Sequence, residues 1–188
     1  HYEYMEMYRK QGLATFELKS FASREVVSTV GTQVEVTTAT MILDAYRALE
    51  ALAPDKRIDV RRAAITGWSL GGGVALYSAW QPLKNAISSN LGFVAHLSIY
   101  PPCIIDMDLV DFTDAAIHIL AGELDDWVPA DACVDLVTEM QASGADAGIT
   151  VYPGAYHSFD RTTAPRTVED GYVLTDCMFR MRKDGAIL

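Results

Sequence analysis

The chain has 188 residues, 50% of them hydrophobic and 21% charged, which fits one globular domain and excludes a disordered chain. Acidic residues outnumber basic ones 25 to 15, so the formal net charge is −10. A surface this acidic repels phosphate, and we therefore expect neither nucleic acid nor an anionic membrane as a partner. The three cysteines are far apart with no Cys-x-x-Cys pair, so we expect neither a disulfide framework nor a zinc site.

The first third of the chain predicts a helix, a strand and a second helix. Residues 1–10 have the pattern of an amphipathic helix, and the alternation over residues 13–21 predicts a strand. Apolar residues three or four apart over residues 34–52 predict a helix with a single apolar stripe. Pro54 and a charged run then end that helix.

The rest of the chain alternates short apolar strands with helices. In chain order the predicted elements are a strand at 63–68, a helix at 70–80, strands at 93–100 and 116–121, a helix from 129 to about 144, a strand at 148–152 and a helix at 165–183. Such alternation is typical of an α/β fold with a mostly parallel sheet flanked by helices on both faces. Functional residues of such sheets gather in the loops at the carboxyl ends of the strands.

Two uncharged stretches, residues 63–83 and 85–105, are each long enough to cross a bilayer. Glycine, serine, proline and asparagine interrupt the apolar residues in both stretches. Buried strands with their flanking turns are therefore the better interpretation, and we expect no membrane association.

The segment Gly67-Trp68-Ser69-Leu70-Gly71 has the Gly-x-Ser-x-Gly pattern of a nucleophile elbow, set between a predicted strand and a predicted helix. A sharp turn of this kind holds the Ser69 hydroxyl above the sheet, and a side chain at Gly67 or Gly71 would collide with the turn. The helix that follows directs the Leu70 N–H toward an oxyanion. The alternative is a strand–helix junction in which small residues serve close packing only.

A nucleophilic serine needs a base and a carboxylate that orients the base, in the chain order Ser, Asp or Glu, His. His157 is the one histidine that lies both downstream of the elbow and in a loop after a predicted strand. The loop after the preceding strand offers three carboxylates, Glu123, Asp125 and Asp126, among which composition does not choose.

Three segments together resemble the dienelactone hydrolase family of α/β-hydrolases: residues 67–73, 122–129 and 152–160. Further similarity lies at Ser20-Phe21 with Arg24, at residues 44–49, and at Tyr100-Pro101 with Cys103, so the resemblance covers about residues 12–160. It implies that Asp125 is the acid and His157 the base, and that no metal or organic cofactor is required. The archetype has a cysteine nucleophile, and Ser69 in its place favours a broader carboxylic ester or lactone hydrolase.

The resemblance also bears on domain organisation. We expect residues 1–188 to form a single α/β-hydrolase domain that lacks its N-terminal strands. The family sheet runs 1-2-4-3-5-6-7-8; Leu13 would begin its fourth strand and Ala63 its fifth, with no residues between them for the third. The loop of that third strand normally supplies the second oxyanion donor.

Substrate-binding residues are predicted less directly. Arg24 is a candidate for holding a substrate carboxylate, against the alternative of a surface ion pair. Trp68, Trp127 and Tyr156 are candidate walls of an acyl pocket, and Cys103 stands at a strand end near the site, where packing is the alternative role.

The predicted function is a serine hydrolase that acts on a small-molecule ester or lactone through an acyl-enzyme. A peptidase of the prolyl-oligopeptidase type and a non-catalytic α/β binding scaffold remain alternatives, because the fold alone does not separate them. The sequence specifies neither a compartment nor an oligomeric state.

Overall fold

The computed structural model describes residues 2–29, 35–87, 90–169 and 173–187. Five helices and six strands lie in these ranges, together with two short 3₁₀ turns at Ala22–Arg24 and Val60–Arg62. The helices are α1 (Tyr2–Lys10), α2 (Thr38–Leu52), α3 (Leu70–Tyr77), α4 (Gln81–Ile87) and α5 (Ala130–Ala142). The strands are β1 (Ala64–Trp68), β2 (Ala95–Ile99), β3 (Ile105–Met107), β4 (Ala116–Gly122), β5 (Ala147–Tyr152) and β6 (Phe179–Met181).

Four strands form a parallel sheet in the order β1-β2-β4-β5, as the alternation of strands and helices predicts. Since parallel strands end at one edge, the loops after β1, β2, β4 and β5 lie together there. A second, two-stranded parallel sheet pairs β3 with β6. The main sheet therefore positions the loops in which the sequence places its candidate residues.

Two helices bury an apolar stripe: α5 packs on β4 and β5, whereas α2 packs on α3, which itself packs on β1 and β2. In α2 the stripe includes Met41, Ile42 and Tyr46, and the Tyr46 hydroxyl donates a hydrogen bond of 2.7 Å to the Ser78 carbonyl. Burial raises the pKa of Tyr46 to about 12. In α5 the buried residues are Ala130, Cys133, Leu136, Val137 and Met140. The periodicity predictions for these two helices are confirmed, although α2 begins at Thr38 and residue 34 lies outside the described ranges.

The strand predicted at residues 13–21 is wrong. The segment is irregular, and Leu13, Phe16 and Leu18 are exposed. Alternation alone does not make a strand, because its backbone groups need a partner strand, and none pairs with this segment in the described part of the chain.

The helix predicted at residues 165–183 is also wrong where the structure describes it. Its described residues are irregular except for β6, whose Phe179 N–H donates to the Ile104 carbonyl at 2.8 Å. The pairing of β6 with β3 and the burial of Met181 outweigh the local preference for a helix, which is already weak because the segment contains Gly171.

The expectation of no disulfide is wrong. Cys103, in the loop after β2, is bonded to Cys133 in α5, 30 residues away, and both side chains are buried. No sequence motif marks this pair, because tertiary packing alone brings the loop and the helix together. Cys177 is free.

The two uncharged stretches contribute β1, α3 and β2 to the core. Among the described residues, no helix combines the length and the hydropathy needed to cross a membrane.

Candidate active site

Ser69 occupies a strained turn between β1 and α3. Its backbone has φ 53° and ψ −119°, and residues other than glycine rarely adopt such a positive φ. The Ser69 N–H donates to the Ile99 carbonyl at 2.9 Å, which fixes the turn against the end of β2. The turn thus projects the serine from the carboxyl edge of the sheet.

The glycines around Ser69 allow the backbone to pack closely. A Cβ at Gly67 would lie 1.9 Å from the Gly71 carbonyl oxygen, so only glycine fits there, as predicted. The same prediction for Gly71 is wrong, because a Cβ there meets nothing within 4 Å in the described structure. Gly72 is the second tight position, where a Cβ would lie 2.8 Å from the Ile99 carbonyl oxygen. The spacing of the motif did not point to Gly72.

Leu70 is the first residue of α3. The N–H groups of a first helical turn have no acceptor within the helix, and they carry the positive end of its dipole. The Leu70 N–H is therefore a donor without an acceptor inside the helix, in the residue that follows Ser69. The motif predicts an oxyanion donor at this N–H.

Asp125 is the carboxylate that faces the histidine. Its Oδ2 lies 2.7 Å from His157 Nδ1, and its Oδ1 accepts backbone hydrogen bonds of 3.0 Å from Trp127 and Val128. The Asp125 side chain is 1% exposed, so these bonds form away from water and fix its orientation.

The other two candidate carboxylates point elsewhere. Glu123 accepts a hydrogen bond of 2.7 Å from the Gly154 N–H and so ties its own loop to the loop that carries the histidine. Asp126 is exposed. The geometry thus separates three carboxylates that composition leaves equivalent.

His157 Nε2 lies 3.0 Å from Ser69 Oγ. A carboxylate only accepts hydrogen bonds, so Nδ1–H donates to Asp125 and Nε2 is left to accept from the serine hydroxyl. Two aromatic rings hold the imidazole: Trp127 is stacked on it at 5.0 Å, and Tyr100 meets it edge-on at 4.7 Å.

Tyr100 and Asp160 extend this arrangement behind the histidine, and no sequence motif predicts a role for either of them in the site. The Tyr100 hydroxyl donates to Asp160 Oδ1 at 2.6 Å. Burial, followed by the Asp160 carboxylate, raises the pKa of Tyr100. Tyr100 also has a positive φ of 39°, a strained backbone that sequence periodicity does not reveal.

The loops that carry Asp125 and His157 are joined by their backbones. The Leu124 N–H donates to the Ala155 carbonyl at 2.8 Å. A Cβ at Gly122 would lie 2.5 Å from the same carbonyl oxygen, so the loops approach this closely only with glycine at that position. Gly122 is a further position that the sequence analysis did not single out as required.

A cavity of about 250 Å³ opens beside Ser69. It is lined by Thr29, Thr38, Ser69, Leu70, Gly73, Tyr77, Pro102, Ile104, Ile105, Trp127, Val128, Leu174 and Phe179. Of the aromatic residues predicted as pocket walls, Trp127 lines this cavity. Trp68 instead packs against Tyr4 with ring centroids 5.2 Å apart, and Tyr156 is 45% exposed at the surface.

The two remaining substrate-binding candidates are engaged in other contacts. Arg24 forms hydrogen bonds of 2.7 and 2.9 Å to the two carboxylate oxygens of Asp44 and a third to the Ser20 carbonyl. This pairing lowers the pKa of Asp44. Cys103 is in the buried disulfide described above. The described residues contain no group of three or more His, Cys, Asp or Glu side chains arranged to bind a metal ion.

Comparison with known proteins shows the family of the chain. The family model for the dienelactone hydrolase family matches residues 5–176, nearly the whole chain. The chain belongs to the dienelactone hydrolase family. The resemblance seen in the motifs is thereby confirmed, and the irregular segment after α1 falls within the match.

Curated relatives and solved structures extend the comparison. A protein of Yersinia pestis named "Putative carboxymethylenebutenolidase" is 30% identical over 120 residues, which cover 61% of this chain and 45% of the relative. A protein of the same name from Escherichia coli O157:H7 is 32% identical over 61% of this chain and 44% of its own length. The matched region thus spans less than half of these relatives.

Two solved structures share the fold. The crystal structure of a protein described as "Putative Dienelactone Hydrolase", from Klebsiella pneumoniae, has a TM-score of 0.55 at 25% identity and covers 71% of this chain and 57% of its own. Thermogutta terrifontis esterase 2 has a TM-score of 0.57 at 20% identity over 69% of this chain and 58% of its own, which shows the α/β-hydrolase fold alone.

Proposed function

We propose that this chain is a serine hydrolase that cleaves carboxylic esters or lactones through an acyl-enzyme, with Ser69 as nucleophile, His157 as base and Asp125 as orienting acid. The observation that carries the proposal is the continuous hydrogen-bonded chain from Ser69 Oγ through His157 to Asp125, with links of 3.0 and 2.7 Å. Membership of the dienelactone hydrolase family supports the same reaction class.

In the first half of the reaction His157 Nε2 takes the proton from Ser69 Oγ as that oxygen attacks the carbonyl carbon. The tetrahedral intermediate collapses when the bond to the leaving oxygen breaks, and His157 gives its proton to that oxygen. Asp125 holds the imidazole in the tautomer with a proton on Nδ1 and stabilises the imidazolium that forms.

In the second half a water molecule gives a proton to His157 and attacks the acyl carbon. Collapse of the second intermediate releases the carboxylic acid and returns the proton to Ser69. For a lactone the leaving oxygen stays attached to the acyl group, so the product is a single hydroxy acid.

The Leu70 N–H is the proposed donor to the oxyanion in both intermediates. It opens α3 beside the serine, so its position is set by the backbone and requires no rearrangement during the reaction. A single donor of this kind contributes about 10²–10³ in rate.

A fluorophosphonate probe tests the nucleophile directly, because serine oxygen displaces fluoride from phosphorus only when a base activates it. We expect the probe to add to Ser69, as located by peptide mass spectrometry. We also expect Ser69→Ala to lower kcat on an activated aryl ester by about 10⁴-fold or more.

Ser143→Ala is the matched control, since it removes the hydroxyl of an exposed serine at the C-terminal end of α5 and leaves the Ser69 hydroxyl in place. Full activity of Ser69→Ala on the aryl ester, or labelling that persists in that variant at the same peptide, contradicts the proposal.

A further inference from the structure

The cavity beside Ser69 has one wall made by residues 173–187, which we call the strap. Leu174 and Phe179 of the strap line the cavity together with Ser69. The Leu174 N–H donates to the Trp127 carbonyl at 2.9 Å, next to the ring that stacks on the histidine. The strap is therefore joined to the same loop that carries Asp125.

Backbone pairing fixes the rest of the strap. Strand β6 pairs in parallel with β3, and the Asp108 N–H donates to the Met181 carbonyl at 2.8 Å. Arg180 forms an ion pair with Asp108 at 2.9 Å, and Met181 is buried. Because both ends of the lining segment are held by hydrogen bonds, Leu174 and Phe179 form a defined wall.

The lining of the cavity is uncharged. Its polar side chains carry hydroxyls, apart from the Trp127 indole, and one of these hydroxyls, that of Tyr77, already donates to the Pro102 carbonyl. No lysine, arginine or histidine is among the described residues that line it, and residues 30–34 and 170–172, adjacent in sequence to the lining, contain none of these either. A carboxylate buried here would have no cationic partner.

The position of the cavity relative to Ser69 indicates which part of an ester it holds. Ser69 and Leu70, the residue of the proposed oxyanion donor, both line the cavity, so the carbonyl group of a bound ester lies at its edge. Trp127, whose ring stacks on His157, lines it as well. The cavity therefore begins at the carbonyl carbon, and the acyl chain is the part of the ester that stays bonded to Ser69 there after the leaving oxygen has taken its proton from His157.

We propose that the cavity is an acyl pocket that selects short, uncharged acyl groups, and that Leu174 and Phe179 of the strap set the limit on chain length. This inference rests on the function proposed above. A volume of about 250 Å³ lies below the range of about 300–1,000 Å³ typical of pockets for drug-sized ligands. The ion pair of Arg24 with Asp44 and the net charge of −10 also disfavour an anionic substrate.

The test compares p-nitrophenyl acetate, butyrate, octanoate and hemisuccinate, which share one leaving group and differ only in the acyl chain. We expect kcat/KM for butyrate to exceed that for octanoate and for hemisuccinate by about 10-fold or more. Leu174→Ala should raise the ratio of octanoate to acetate by about 10-fold. Val173→Ala is the matched control, because Val173 is exposed on the same strap outside the lining, and it should leave the ratio unchanged.

The outcomes separate the two proposals. Fluorophosphonate labelling of Ser69 with equal rates on all four esters, or with hemisuccinate as the best substrate, overturns the acyl-pocket inference and leaves the proposed function standing. No labelling and no hydrolysis overturns both. If Leu174→Ala does not fold, the comparison of the four esters with the unmodified protein still decides the inference, and Phe179→Ala tests the length limit.

Discussion

The nucleophile turn (residues 67–73) and the acid–base loops (residues 122–129 and 152–160) lie at the same edge of the sheet but are held in different ways. In the nucleophile turn the backbone packs so closely that a Cβ at Gly67 or Gly72 would collide with a neighbouring carbonyl. The acid–base loops have one such tight glycine, Gly122, but they are also joined by carboxylate hydrogen bonds, such as those of Glu123 with Gly154 and of Asp125 with two backbone N–H groups.

This difference explains why the site residues of the two regions are not predicted equally well from the sequence. Steric exclusion in the nucleophile turn admits glycine alone at Gly67, which belongs to the recognised motif, and at Gly72, which lies outside it. A loop fixed by carboxylate hydrogen bonds can use any of several acidic residues, and only the fold decides which of them faces the histidine.

The largest effect that we expect from a single substitution is a loss of catalytic rate on changing the carboxylate of the acid–base loops. Asp125→Asn keeps the shape of the side chain but replaces a carboxylate with an amide, which favours the wrong imidazole tautomer. We expect kcat for ester hydrolysis to fall by about 10⁴-fold, with little change in the urea midpoint. Steady-state kinetics on an aryl ester measures it.

Asp126→Asn is the matched control, because it makes the same chemical change one residue away at an exposed position. It should alter kcat by less than about 3-fold, since exposed surface charges contribute little. Equal losses in the two variants would show that Asp125 has no special relation to His157.

The second effect is on stability and concerns the nucleophile turn. A methyl group at Gly67 would lie 1.9 Å from the Gly71 carbonyl oxygen, so the backbone must shift. We expect Gly67→Ala to lower the free energy of unfolding by about 4 kcal/mol or more, measured by urea denaturation, or to abolish soluble expression.

Gly71→Ala serves as the comparison within the same motif. Its added methyl group meets nothing within 4 Å, and alanine favours a helix over glycine by about 1 kcal/mol. Its stability should be unchanged or slightly raised. Destabilisation of the two variants to the same extent would remove the steric account of the turn.

The smallest of the three effects concerns His96, which links β2 to the helix behind the nucleophile turn. Its Nδ1–H donates to the Ala75 carbonyl at 2.8 Å, and burial lowers its pKa to about 4. The unfolded chain binds a proton near the ordinary histidine value of about 6.5, whereas the folded protein binds it only near 4. The contribution of His96 to the free energy of unfolding is therefore fully present above about pH 6.5. It is lost as the pH falls toward 4, which lowers the free energy of unfolding by about 3 kcal/mol in all.

The measurement is the urea midpoint between pH 7 and pH 4, with His96→Asn beside the parent protein. The variant should lose the His96 share of the pH dependence, whereas His118→Asn, at an exposed histidine, should retain it. A parent and a His96→Asn variant with the same pH slope would contradict the assignment.

Much of the fold follows from sequence, and the failures have identifiable causes. The strands before Ser69 and before the Asp125 loop were predicted because they are short apolar runs between helices. The helices with one apolar stripe were predicted because a buried face imposes a local period. The strand at residues 13–21 and the helix at 165–183 were wrong because tertiary pairing, or the lack of it, decides such segments. The Cys103–Cys133 disulfide was missed for the same reason.

By itself the sequence indicated the fold class and, through the resemblance of its motifs, the family, and it predicted Ser69 from its glycine turn and His157 from its loop. Composition left three carboxylates open and the family resemblance implied Asp125, which the structure shows against His157. Only the tertiary structure paired Arg24 with Asp44 and placed Leu174 in the wall of the cavity. The physical reason is distance along the chain. Steric rules act between neighbours and are visible in a short motif, whereas hydrogen bonds and cavity walls join residues that are far apart in sequence and meet only when the sheet is formed.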